Sequence, residues 1–186
     1  MGQDKALMPF LGRPLIDRVV RRLAPVGEEL LVTTNRPDDY TFLMLPLIPD
    51  RMPGLGALGG LYTALSAAHG PVVAVVACDM PFVQPDLLLA QRDLLIKEMV
   101  DVVIPCSPEG LEPLHAVYRR ESCLAAVEEA LRAGERKMIS WLGKVRARTM
   151  SPQEVAVIDP DYRSFINVNR PEEFAAAEAL ARALET

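Results

Sequence analysis

Apolar residues recur along this chain in two rhythms, a three-to-four-residue step and short unbroken runs, and their alternation predicts interleaved helices and strands. Behind Pro14, Leu15, Val19 and Leu23 share one helical face, and proline suits a helix's first turn. Glu29–Thr34 reads as a strand ending at Asn35, a short helix follows Pro37, and Leu43–Ile48 reads as a second strand. Asp50–Gly60 is a loop by its glycines and proline, running into a helix with Leu61, Ala64, Leu65 and Ala68 on one side. Pro71–Cys78 is continuously apolar, the pattern of a strand covered by helices on both faces.

The alternation continues to the last residues. A helix runs from Pro85 to about Met99, followed by strands at Val102–Pro105 and Leu114–Tyr118. Ser122 is placed to cap a helix carrying Leu124, Val127 and Leu131, stopped by Gly134. Met138–Leu142 reads as a short helix, and Val145–Met150 and Val155–Ile158 as edge strands. The final helix opens at Pro171, with Glu172 and Glu173 complementing its dipole. The order predicts an α/β fold, a doubly wound, mostly parallel sheet flanked by helices. With no repeat, low-complexity run or linker, residues 1–186 are expected to form a single domain.

Composition narrows the function classes. Half the residues are hydrophobic, but no run approaches the roughly 18–20 apolar residues of a membrane helix, and no signal-peptide pattern opens the chain. A soluble cytoplasmic protein without a membrane partner is expected. The formal net charge of −5 argues against a nucleic-acid partner. Arg18, Arg21 and Arg22 fit the solvated side of one helix. Cys78, Cys106 and Cys123 lack metal-ligand or disulfide spacing, so reduced and mostly buried thiols are expected. His69 and His115, the two histidines, leave little for a zinc site or a Ser/His/Asp triad; His115, in an apolar strand, fits a core residue.

Candidate chemistry sits where strands end, since open α/β sheets bind ligands outside their carboxyl edges. Asp79 follows seven apolar residues and is either a ligand for a hard cation such as Mg²⁺ or a turn-capping carboxylate. Gly54, Gly56, Gly59 and Gly60 precede a helix without the Gly-Lys-Ser/Thr of a P-loop. They suit close backbone approach to an anion, or a flexible connection with a glycine cap. Lys5 either meets a phosphate or faces solvent. Asn167 and Asn169, two apart in an extended segment, share one face, as ligand or metal-water contacts or as caps for the following helix.

Taken in order, MGQDKALMPFLGRPLIDRV, TTN at Thr33–Asn35, Asp50 with GLGALGGL, ACDMPF at Ala77–Phe82, PLHAVY at Pro113–Tyr118 and FINVNRPEEF at Phe165–Phe174 resemble the molybdenum cofactor guanylyltransferase family. The resemblance spans nearly the whole chain. It implies a Rossmann-like fold of the nucleotide-diphospho-sugar transferase type and transfer of GMP from GTP to the phosphate of molybdopterin, the molybdenum cofactor, releasing pyrophosphate. It further implies Lys5 and Asp79 as catalytic residues, with Lys5 on triphosphate and Asp79 on Mg²⁺. Asn35, Asp50 and Gly56 would join them in holding the nucleotide, and Asn167 and Asn169 would meet the pterin-side substrate or the metal.

A CTP-using transferase, or one acting on another small phosphate, shares much of this pattern. A non-catalytic nucleotide- or cofactor-binding protein is the reading from another class. The family pattern normally places an apolar strand, a Leu-Ala-Gly-Gly loop and an arginine-containing turn before Met-Gly. The sequence is therefore expected to be an N-terminally shortened version of the domain, short of part of its triphosphate cradle. Other cofactor-making proteins are the partners the resemblance implies.

Overall fold

The computed structural model describes residues 4–185; Met1–Gln3, which open the N-terminal motif, and Thr186 lie outside the described residues. Six α-helices are described: α1 (Leu15–Leu23), α2 (Gly56–Ala67), α3 (Pro85–Lys97), α4 (Arg120–Arg132), α5 (Pro152–Ala156) and α6 (Pro171–Leu184). The strands are β1 (Pro9–Phe10), β2 (Arg13–Pro14), β3 (Val32–Thr33), β4 (Leu47–Ile48), β5 (Val72–Val76), β6 (Val102–Ser107), β7 (Gly110–Leu111), β8 (His115–Arg119) and β9 (Ala147–Met150).

The main sheet runs β5-β8-β6-β7, with β9 also paired to β6. β8 is antiparallel to both β5 and β6, so those two run in the same direction; β9 is parallel to β6, and β3 to β4. The sheet expected to be mostly parallel thus carries two reversed strands, β8 at its centre and the short β7 beside β6, and within it only the β6–β9 pairing is parallel. Side chains alternate across it as the pleat requires. Val73 and Val75 pack with Leu58, Leu61 and Leu65 of α2, while Val72 and Val76 pack with Val19 of α1 and Leu87 and Leu88 of α3.

Both faces of β5 are therefore covered, yet its valines are only half-buried and Ala74 is exposed, whereas β6 and β8 are buried almost throughout. The cause is position. Among the described residues β5 pairs with β8 alone, and β3 and β4 form a separate two-stranded sheet. The same helices span both sheets: α2 touches β3, β4 and β5, and α1 directs Val19 toward β5 and Ile16 toward Val32 and Leu47.

Local chemistry explains where the sequence reading shifts. Val155–Ile158 is not a strand: Ser151 and Glu154 close a capping box around Pro152, so α5 takes in Val155 and Ala156 and a turn follows at Val157 and Ile158. α2 starts at Gly56, inside the expected loop, and α4 starts at Arg120, leaving Ser122 to bond Asp101 instead of capping. The Met138–Leu142 helix is displaced to a short 3₁₀ turn at Leu142–Lys144. The strands expected at Glu29–Thr34 and Leu43–Ile48 shrink to β3 and β4. Arg18 and Arg22 are not solvated: their Nε atoms donate to the carbonyls of Pro81 and Val83, at 2.8 and 2.6 Å. Of the thiols, Cys123 is buried, Cys106 half-buried and Cys78 exposed.

Candidate functional site

The site begins where β5 stops. The Ala77 amide donates to the Leu114 carbonyl, 2.9 Å away, carrying the strand's path to Asp79. Beyond it Met80, Phe82 and Val83 are buried anchors, and the α1 arginines hold this loop by its carbonyls. Arg18 also lies over the rings of Phe10 and Phe82, 5.4 and 5.7 Å from their centroids, a cation–π arrangement. Asp79 is thus set on a fixed turn.

Its carboxylate faces a cleft of about 350 Å³ shared with Ala57, Glu112, Asn167 and Asn169. Burial raises the pKa of Asp79, against opposing pulls from its own backbone amide and the Lys5 charge. The backbone carbonyl of Asp79 accepts from the Val168 amide at 3.0 Å, stitching the Phe165–Asn169 segment to the turn. Asn167 Nδ2 donates to the Phe165 carbonyl at 3.2 Å, and the Asn169 amide to Glu173 Oε2 at 2.7 Å. The second contact belongs to the cap of α6, so the helix start fixes the asparagine.

Lys5 completes this group. Its Nζ donates to Asn169 Oδ1 at 2.6 Å. It is presented by a 3₁₀ turn that Asp4 caps and that the buried Ala6 anchors. Asp4 also accepts from Tyr40 Oη at 2.7 Å and from Arg36. Burial raises the Asp4 carboxyl, but these donors outweigh it and hold the pKa below its ordinary value.

Asn35 and Asp50 form their own pair at the ends of β3 and β4. Asn35 Nδ2 donates to Asp50 Oδ2 at 2.7 Å, and the Asp50 amide returns a bond to Asn35 Oδ1 at 3.1 Å. Neither lines the Asp79 cleft. Gly56 opens α2 with φ of +60°, in the left-handed region where glycine is favoured, and its neighbour Ala57 lines the cleft. No side chain caps this helix, which leaves its first amides for an anion.

The structure therefore brings Lys5, Asp79, Asn167 and Asn169 together, with the start of α2 beside them, and keeps Asn35 and Asp50 apart as a second cluster. Sequence reasoning missed Glu112, a cleft carboxylate bonded by Ser107 Oγ at 2.8 Å. Burial raises its pKa, and Glu109 adds to the rise. Its place two residues before Leu114, which also lines the cleft, was the available signal. Asp4 was missed as well, although it adjoins Lys5.

Among the described residues no group of three or more His, Cys, Asp or Glu side chains would cage a metal. The cleft instead offers hard oxygens, the Asp79 carboxylate with Glu112 and the Asn167 amide nearby, a set that fits a cation taking its other ligands from phosphates and water. A carboxylate, two amides and a helix start around one cleft, with a lysine bonded to one of those amides, suit a phosphorylated ligand.

Comparison with known proteins gives a concordant result. The family described as MobA-like NTP transferase domain matches residues 1–148. The molybdenum cofactor guanylyltransferase of Desulfosudis oleivorans is 34% identical over 184 residues, covering 98% of this chain and 89% of that protein. Among solved structures, molybdopterin-guanine dinucleotide biosynthesis protein A from Archaeoglobus fulgidus superposes with a TM-score of 0.84 at 26% identity, covering 98% of this chain and 92% of the other. The 2-C-methyl-D-erythritol 4-phosphate cytidylyltransferase of Thermus thermophilus shares the fold, with a TM-score of 0.69 at 20% identity over 96% and 94% of the two chains.

Proposed function

Because the chain belongs to the MobA-like NTP transferase family, we propose that it acts as one nucleotidyltransferase domain, transferring GMP from GTP to the phosphate of molybdopterin and releasing pyrophosphate. The observation that supports this reading most is the convergence of Asp79, Asn167 and Asn169 on one cleft beside the open start of α2, with Lys5 bonded to Asn169 at 2.6 Å.

The chemistry asks little of the protein beyond placement and charge. A phosphate monoester has its second pKa near 6, so the acceptor is already ionised at neutral pH and needs no general base. Its oxygen attacks the α-phosphorus of GTP; the new P–O bond forms as the bond to pyrophosphate breaks. On this reading the Lys5 ammonium neutralises charge on the triphosphate, and the first amides of α2 donate to its oxygens. The Asn35–Asp50 pair and Gly56 hold the nucleoside end. Asn167 and Asn169 orient the acceptor phosphate. The absence of a histidine from the cleft lining agrees with a reaction driven by positioning.

Asp79 is the residue that would hold Mg²⁺, with Glu112 close by. Held there, such an ion would supply neutralisation of the phosphate charge.

The experiment that separates the nucleotide choices is titration calorimetry with GTP and CTP in the presence of Mg²⁺. Tighter binding of GTP supports guanylyl transfer; preference for CTP would move the assignment to a cytidylyltransferase.

A further inference from the structure

Beneath the cleft lies a buried polar group that the proposed reaction leaves unused. His115 on β8 is fully buried, and its ring meets Phe165 edge-on at 5.2 Å and 79°. Its Nδ1 pairs with Gln91 Nε2 on α3 at 3.3 Å, while its Nε2 and the Gln91 Oε1 have no partner. Among the described residues the third buried polar side-chain atom without a partner is Ser164 Oγ, on the residue next to Phe165. Such atoms are rare in proteins, because each costs the desolvation of a polar group. His115 and Gln91 are bonded to each other, and Ser164 adjoins the Phe165 whose ring His115 meets; imidazole, amide carbonyl and hydroxyl together supply both donors and acceptors.

The turn they adjoin is otherwise tightly held. Asp159, itself buried, accepts from the amides of Arg163 and Ser164 at 3.0 and 2.8 Å and from Gln84 Nε2 at 3.0 Å. From that turn the chain passes to Phe165, whose carbonyl holds Asn167 Nδ2, and on to Asn169, which bonds Lys5. The imidazole is therefore two contacts from Asn167, through Phe165, and Asn169 follows two residues further along the same segment.

We propose that His115 is a positioning residue for the acceptor phosphate, linked to Ser164 Oγ through one buried water and to Phe165 by ring contact, so that it sets where Asn167 and Asn169 point. A polar pocket flanked by two or more orphaned groups is the kind of place where proteins keep such a water. The inference rests on the acceptor-binding reading of the two asparagines.

Two variants separate ring packing from the polar link. His115→Phe keeps an aromatic against Phe165 but removes Nε2; His115→Gln restores a polar nitrogen at about the same reach. The KM for molybdopterin is expected to rise about tenfold in His115→Phe, the scale of one lost hydrogen bond, with the KM for GTP and kcat little changed, and to return toward wild type in His115→Gln. Ser164→Ala is expected to match His115→Phe, and the double variant to be no worse than either single one. Equal KM values in all variants, or additive effects, would overturn the proposal.

A measurement independent of turnover keeps this outcome apart from failure of the assigned reaction. In ¹⁵N spectra of the free protein, the side-chain amide signals of Asn167 and Asn169 are expected to shift in His115→Phe and Ser164→Ala and to recover in His115→Gln. Unmoved asparagine signals in a folded variant would overturn the proposal whatever the enzyme assay gives.

Discussion

Lys5 Nζ donates to Asn169 Oδ1 at 2.6 Å across 164 positions of sequence, joining the first described turn to the entrance of the last helix. The bond uses the lysine's charge on a neutral amide, so the ammonium remains available to an anion entering the cleft. Lys5→Ala is expected to lower kcat/KM for GTP by about 10²–10³, the usual loss when one electrostatic contact to a developing charge is removed. Asn169→Ala frees the lysine without removing it and is expected to act mainly on the acceptor's KM. Steady-state kinetics with each substrate varied in turn distinguishes the two patterns.

The glycines of α2 give an internally controlled test of packing. A Cβ at Gly59 would lie 2.9 Å from Leu55 Cβ and 3.1 Å from the Met52 carbonyl, whereas one at Gly60 would meet nothing within 4 Å. Alanine favours a helix interior by about 1 kcal/mol over glycine, but overpacking costs about 1–3 kcal/mol. Gly60→Ala is therefore expected to raise the melting temperature and Gly59→Ala to lower it. Thermal unfolding by circular dichroism reads both.

These cases show what was legible in the sequence. Asp79, Asn167 and Asn169 stood at strand ends and helix starts, so a one-dimensional pattern placed them, and Pro85 and Pro171 fixed two helix starts in advance. The Val155–Ile158 segment misled because its apolar residues carry no strong period, while the deciding signal was the capping chemistry of Ser151 and Glu154 upstream. Arg18 and Arg22 read as surface because charge runs usually are, and their carbonyl partners lie more than sixty residues away. Long-range pairings of this kind, like Lys5 with Asn169, leave no local trace.

Acid should weaken the fold through His115. Burial pushes its pKa down to about 4 from an ordinary 6.5, with the Asp159 charge opposing only in part and neutral Gln91 as its hydrogen-bond partner. The unfolded chain takes up a proton below pH 6.5 that the folded chain refuses. This contribution is thus fully present above that pH and is lost as pH falls toward 4, about 3 kcal/mol in all. Urea midpoints measured from pH 7 to 4 are expected to fall more steeply for wild type than for His115→Phe, by up to one proton's worth of slope.

The open edge of β5 should be visible in solution. Its outward amides have no strand partner among the described residues, while β6 is paired on both sides. Native-state hydrogen exchange is expected to be fast at those amides and slow along β6 and β8. Uniform protection of β5 would mean that another strand pairs with it.

The measurement that bears most directly on the proposed function is pyrophosphate release from GTP with molybdopterin and Mg²⁺, run on the wild-type chain and on Asp79→Asn. The account expects release that needs both substrates, yields a GMP-bearing pterin, and falls about 10²–10³-fold in Asp79→Asn while the variant melts like wild type. Undiminished release in Asp79→Asn, or no release from the folded wild-type chain, would contradict it.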